Sequence, residues 1–122
     1  MKHVLIIEGD PRISVALETR LLQFGYRSFE KVSTEDDAVA AAIRLGPDLV
    51  VVGDRLIVGS SINAARRIAE RQDVSMLMVA DRSRHEVSPP PPDASLSGPF
   101  QLDRLGEAIE AAEQPRPVQA AA

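Results

Sequence analysis

Short, unbroken apolar runs separated by helix-patterned segments constrain this chain more than any other feature. His3–Ile7, Leu49–Val52 and Val74–Val79 are too brief for buried helices and lack the alternation of a half-exposed strand. Such runs suit strands covered on both faces, as in a parallel sheet. Between the first two, Asp10-Pro11 offers an N-cap and a first-turn proline, and Ile13, Leu17, Leu21 and Phe24 recur at helical spacing up to Gly25. Arg27–Val32 reads as another strand. Ser33 and Asp36 form a candidate capping box for a helix whose face is Ala38, Ala41, Ala42 and Leu45, stopped by Gly46-Pro47.

Gly59-Ser60-Ser61 leads into a helix carrying Ile62, Ala65, Ile68 and Ala69, with Arg66, Arg67, Glu70 and Arg71 on its solvated side. After the Val74–Val79 strand the rhythm breaks. Asp81–Val87 is polar, and Pro89, Pro90, Pro91 and Pro92 withdraw four consecutive backbone donors and favour an extended form. Ala94–Ser97 is a candidate fifth strand. Leu102, Leu105 and Ile109 mark a last helix, so residues 1–112 form one domain and 113–122 a flexible tail. Five strands alternating with four helices predict a doubly wound α/β sheet, with functional loops beyond the carboxyl ends of its strands.

Composition narrows the function. A net charge of −4, no Trp and one Tyr disfavour nucleic acid, which needs clustered cations and stacking surfaces. The absence of cysteine removes disulfides, thiol nucleophiles and Cys-ligated metals. No apolar run approaches the ~20 residues of a membrane span, and Glu8 interrupts any signal-like start, so a cytoplasmic chain without membrane attachment is expected. His3 and His85 are isolated and read as packing or surface residues.

The strand-end loops hold Glu8-Gly9-Asp10, Gly53-Asp54, Ala80 and Gly98-Pro99-Phe100. With Val4–Glu8, Pro47–Val52, Leu56, Gly59-Ser60, Val74–Val79 and Pro99-Phe100, the chain resembles the receiver domain of bacterial response regulators over roughly residues 1–112. That resemblance implies a five-stranded parallel sheet in the flavodoxin-like order 2-1-3-4-5, here with the fourth helix degenerate or missing. It also implies an acid pair holding a metal, an acceptor Asp ending the third strand, a hydroxyl after the fourth and a Lys before Pro-Phe. Those positions fall on Glu8 and Gly9, Gly53, Ala80 and Gly98. The aromatic switch position falls on Ser95 and a usual proline on Ile57.

Phosphoryl transfer needs a placed nucleophile and positive charge to offset the developing negative charge. Gly53 supplies no nucleophile, Gly9 no carboxylate for magnesium, and Gly98 no fixed cation. The expectation is therefore a pseudo-receiver: not an enzyme, with no cofactor and no metal, working in a two-component-type pathway through protein contacts without phosphorylation. Three alternatives stand beside it: a kinase competitor or scaffold, an atypical switch phosphorylated on Asp54, and a small-molecule sensor using the glycine-lined cleft. Asp10 and Asp54 are the residual acids, although Asp10 reads more simply as an N-cap. The resemblance puts a histidine kinase or phosphotransfer protein against the first helix and the loop before the last, with Ile13, Ser14, Phe100 and Gln101 as contacts. Pro89–Pro92 form a second candidate contact segment. Loss of the fourth helix is expected to expose a strip beside Met76, Met78 and Leu96, for which a second copy of the chain is one candidate partner.

Overall fold

Successive side chains of β1 (His3–Ile7) point to opposite faces, Val4 and Ile6 to one side and Leu5 and Ile7 to the other, and all four are fully buried. This is the pattern of a strand sandwiched between two helical layers. The structure is a computed structural model that describes residues 3–53, 56–80, 97–101 and 109. The remaining elements are α1 (Pro11–Gln23), β2 (Ser28–Val32), α2 (Glu35–Leu45), β3 (Leu49–Gly53), α3 (Ser61–Ala69), β4 (Ser75–Ala80) and β5 (Ser97–Gln101). They form a parallel sheet in the order β2-β1-β3-β4-β5.

Two cores result. Leu5, Ile7, Val50, Val52, Met76 and Met78 pack under the small-residue faces of α2 and α3, including Ala38, Ala42, Ala64 and Ala65. Val4, Ile6, Val51, Leu77 and Val79 pack under Leu17 and Leu21 of α1, together with Ile109. Alanines facing each other let α2 and α3 approach closely, and Gln72 Nε2 donates to the Ala42 carbonyl at 2.5 Å across that seam.

Several local expectations shift. The N-cap of α2 is Thr34, whose hydroxyl accepts from the Asp37 N–H at 3.2 Å, and not Ser33. Thr34 also bridges to Val58, which fixes its extended backbone one residue later than the Ser33–Asp36 box implied. Phe24 caps the end of α1 and is exposed, so the apolar face of that helix ends at Leu21. The last strand runs Ser97–Gln101, so Gly98, Pro99 and Phe100 lie within it and not in a loop beyond it. Its pairing jumps from Leu77↔Ser97 to Val79↔Phe100. An edge strand tolerates that irregularity and a residue without an N–H. Met76 and Met78 are themselves buried in the α2–α3 core, and the strip expected beside them with Leu96 lies outside the described residues. Asp54, the Pro89–Pro92 run, the fourth-helix segment, Leu96 and the 113–122 tail lie outside the described residues.

Candidate functional site

The Ile7↔Val52 pairing of β1 and β3 carries the next residues, Glu8 and Gly53, side by side at the carboxyl edge of the sheet. Glu8 continues the ladder, its N–H donating to the Val32 carbonyl at 3.0 Å. Its side chain is turned inward and only 4% exposed. Glu8 Oε2 accepts the Asp10 N–H at 2.9 Å. The rest of the carboxyl group lies over Gly53. A Cβ built on Gly53 would overlap Glu8 Oε1, stand 2.6 Å from Glu8 Cδ and 3.3 Å from the Ile7 carbonyl oxygen. The opening expected where the Gly53 side chain is missing is therefore filled by a carboxylate from the neighbouring strand.

Asp10 is committed to α1. Its carboxylate accepts the Arg12 N–H at 2.9 Å and meets Arg12 Nη2 at 3.4 Å. The Arg12 backbone donor, then its guanidinium, hold the Asp10 carboxyl below the ordinary carboxylate range. Gly9 is partly buried between these two acids, Ala80 ends β4, and Gly98 lies in β5. Magnesium prefers near-octahedral oxygen ligation, usually from one or two carboxylates with water. The described donors do not fit it: Glu8 is folded over Gly53, Asp10 is turned to its helix, and positions 9 and 53 carry no oxygen-bearing side chain. Among the described residues no group of three His, Cys, Asp or Glu side chains is placed to hold a metal ion.

Ile13 is half-buried against the α1 core, and Ser14 is buried. Ser14 lines a cavity of about 270 Å³ beside Glu8, Gly9, Val15, Ser33 and Ile57. This cavity lies towards β2, away from Gly98, so it is not the three-glycine cleft the sequence suggested. The exposed large apolar residues of α1 are Val15 and Leu22. Phe100 and Gln101 lie in β5. His3 has a packing role, its N–H bonded to Asp48 Oδ2 at 2.7 Å and its Nδ1 to the Ser28 hydroxyl.

The loop leading into α3 is fastened to the start of α2, a feature the sequence did not reveal. Ile57 N–H donates to the Ser33 carbonyl at 2.9 Å, and Glu35 N–H to the Val58 carbonyl at 3.0 Å. Glu35 Oε1 accepts the Ser60 N–H, and Arg67 Nη1 donates to Glu35 Oε2 and Asp36 Oδ1, each at 2.9 Å. The Ser60 N–H, followed by Arg67, pulls the Glu35 carboxyl below its ordinary range. Gly59 turns the loop at φ +96°, against the Glu35 side chain. Ile57 and Val58 are left 67% and 64% exposed at its tip. Only the spacing of Gly59-Ser60 before α3 hinted at a fixed turn.

No family model matches the chain, and no curated protein matches it by sequence. Solved structures do match by shape. The N-terminal domain of a response regulator/sensory box/GGDEF three-domain protein from Carboxydothermus hydrogenoformans superposes with a TM-score of 0.75 at 20% identity, covering 91% of this chain and 93% of that one. The receiver domain of a sensor histidine kinase from Pseudomonas aeruginosa, with magnesium in its active-site cleft, gives 0.69 at 20% identity over 91% and 96%. A chain from the complex of the histidine kinase ThkA with the response regulator TrrA gives 0.69 at 20% identity over 93% and 100%. Strand order, the two helical layers and these superpositions together show that the chain has the response regulator receiver fold.

Proposed function

We propose that this chain is a pseudo-receiver: a signalling module on the receiver fold that acts by protein contact and transfers no phosphoryl group. The observation that carries this reading is the state of the acceptor position. Residue 53 has no side chain, and the Glu8 carboxylate occupies the adjoining space. A carboxylate nucleophile, a metal to offset charge and a fixed cation are the parts that phosphoryl transfer requires, and positions 9, 53 and 98 are all glycine. Asp54 is the residual acid against which this reading must be tested.

The partner class is a histidine kinase or phosphotransfer protein. One structure of similar shape comes from a kinase–regulator complex. On this chain the outward side of α1 presents Val15, 54% exposed, and Leu22. Docking through shape and apolar contact needs no acceptor side chain, so the module would compete for a kinase or scaffold it. Calorimetry of the chain against phosphotransfer domains from the host, with and without acetyl phosphate and magnesium, tests this. Binding whose affinity ignores the phosphodonor is expected. Affinity that depends on the donor, or no binding to any of these domains, would overturn it.

A further inference from the structure

Gly53 is not required by the backbone. Its φ is not among the positive values, which belong to Gly25, Gly46 and Gly59. It is the last residue of β3, buried and paired with Val79 of β4, where a side-chain-bearing residue would be the better strand former. What bars a side chain there is the Glu8 carboxyl group, which a Cβ would overlap, with the Ile7 carbonyl oxygen behind it at 3.3 Å. Swinging Glu8 away would give up its buried position and the bond that its Oε2 accepts from the Asp10 N–H at the start of α1.

Building on the pseudo-receiver reading, we infer that Glu8 is a built-in plug of the acceptor site, and that Gly53 is matched to it. The two positions are lateral neighbours on the same face of adjacent parallel strands, so their side chains compete for one volume. With Glu8 inside, the site is closed by occupancy as well as by loss of the nucleophile. Restoring an acceptor by Gly53→Asp alone would force two carboxylates into one buried space, which like-charge repulsion and desolvation both oppose. The module thus has one resting state at this edge, and its output is set by which partner is present.

A double-mutant cycle on the full chain tests the coupling. Thermal unfolding is measured for the wild type, Gly53→Ala, Glu8→Ala and the double variant. Gly53→Ala should lower Tm when Glu8 is present, and leave it unchanged or raise it when Glu8 is replaced by Ala. An equal shift in both backgrounds would overturn the plug. If Glu8→Ala does not fold, Glu8→Asp, one methylene shorter, replaces it in the cycle. Hydrogen exchange at the Asp10 amide gives a second readout: displacement of Glu8 by Gly53→Ala should speed it several-fold, and unchanged exchange would overturn the proposal. A phosphoryl adduct on the wild-type chain would remove the functional reading and still leave this coupling to be measured, so the two failures are distinguishable.

Discussion

Arg67 of α3 reaches Glu35 at the start of α2, Nη1 to Oε2 at 2.9 Å, while the other Glu35 oxygen takes the Ser60 N–H. One carboxylate thereby joins two helices and the loop between β3 and α3, directly beyond the acceptor position. With the backbone bonds from the Ile57 N–H to the Ser33 carbonyl and from the Glu35 N–H to the Val58 carbonyl, this clamp ties the exposed loop tip, Ile57 and Val58, to the start of α2.

Glu35→Gln should lower thermal stability at neutral pH. Because the folded-state pKa of Glu35 is depressed, its stabilising contribution is fully present above the unfolded value near 4.5. It is lost as pH falls through the lower folded value. The Tm gap between wild type and Glu35→Gln should therefore be open at pH 6 and close as the medium becomes more acidic than pH 4. A gap independent of pH would show that the carboxylate charge contributes nothing.

Gly59→Ala and Gly25→Ala form a matched pair. Both glycines have strongly positive φ, +96° and +95°, so both substitutions carry backbone strain of about 1–2 kcal/mol. Only at Gly59 does the new Cβ also strike Glu35, whereas at Gly25 it meets open space. Denaturant unfolding should give a larger loss for Gly59→Ala. Equal losses would mean that the clamp yields freely.

The fold was legible because each strand states its burial in its own residues: Leu49–Val52 admits only a sheet covered on both faces, and the structure buries all four. Asp10-Pro11 and Gly46 likewise mark helix ends through local chemistry, and both do so here. The site was legible only as a set of missing groups. That Gly53 lacks a nucleophile can be read from one letter. That Glu8 fills the vacancy depends on the lateral register of β1 against β3, a relation between residues forty-five positions apart. The Glu35–Arg67 pair was hidden for the same reason, and Gly98-Pro99-Phe100 passed for a loop because Gly and Pro are poor strand formers away from an edge.

Stability and docking should separate along the outside and inside of the α1 layer. Ile6→Ala, in the core beneath α1, should cost about 2–5 kcal/mol of unfolding free energy. Val15→Ser, on the outward side, should change stability by no more than about 0.5 kcal/mol. It should nevertheless weaken binding to the kinase or phosphotransfer partner. Full binding by Val15→Ser would move the docking surface away from α1.

Removing metal should change nothing. A ligand that binds only the folded state must raise its stability, so melting curves in EDTA and in millimolar magnesium are expected to superimpose. An upward shift in magnesium that disappears in Glu8→Gln would show that Glu8 leaves Gly53 to serve a cation.

Intact mass measurement after incubation with acetyl phosphate and magnesium tests the central claim most directly. The chain is expected to keep its unmodified mass at every time point, under conditions that label a working receiver run alongside. A single phosphoryl adduct that is absent in Asp54→Asn would contradict the account and make Asp54 the acceptor of a phosphorylated switch.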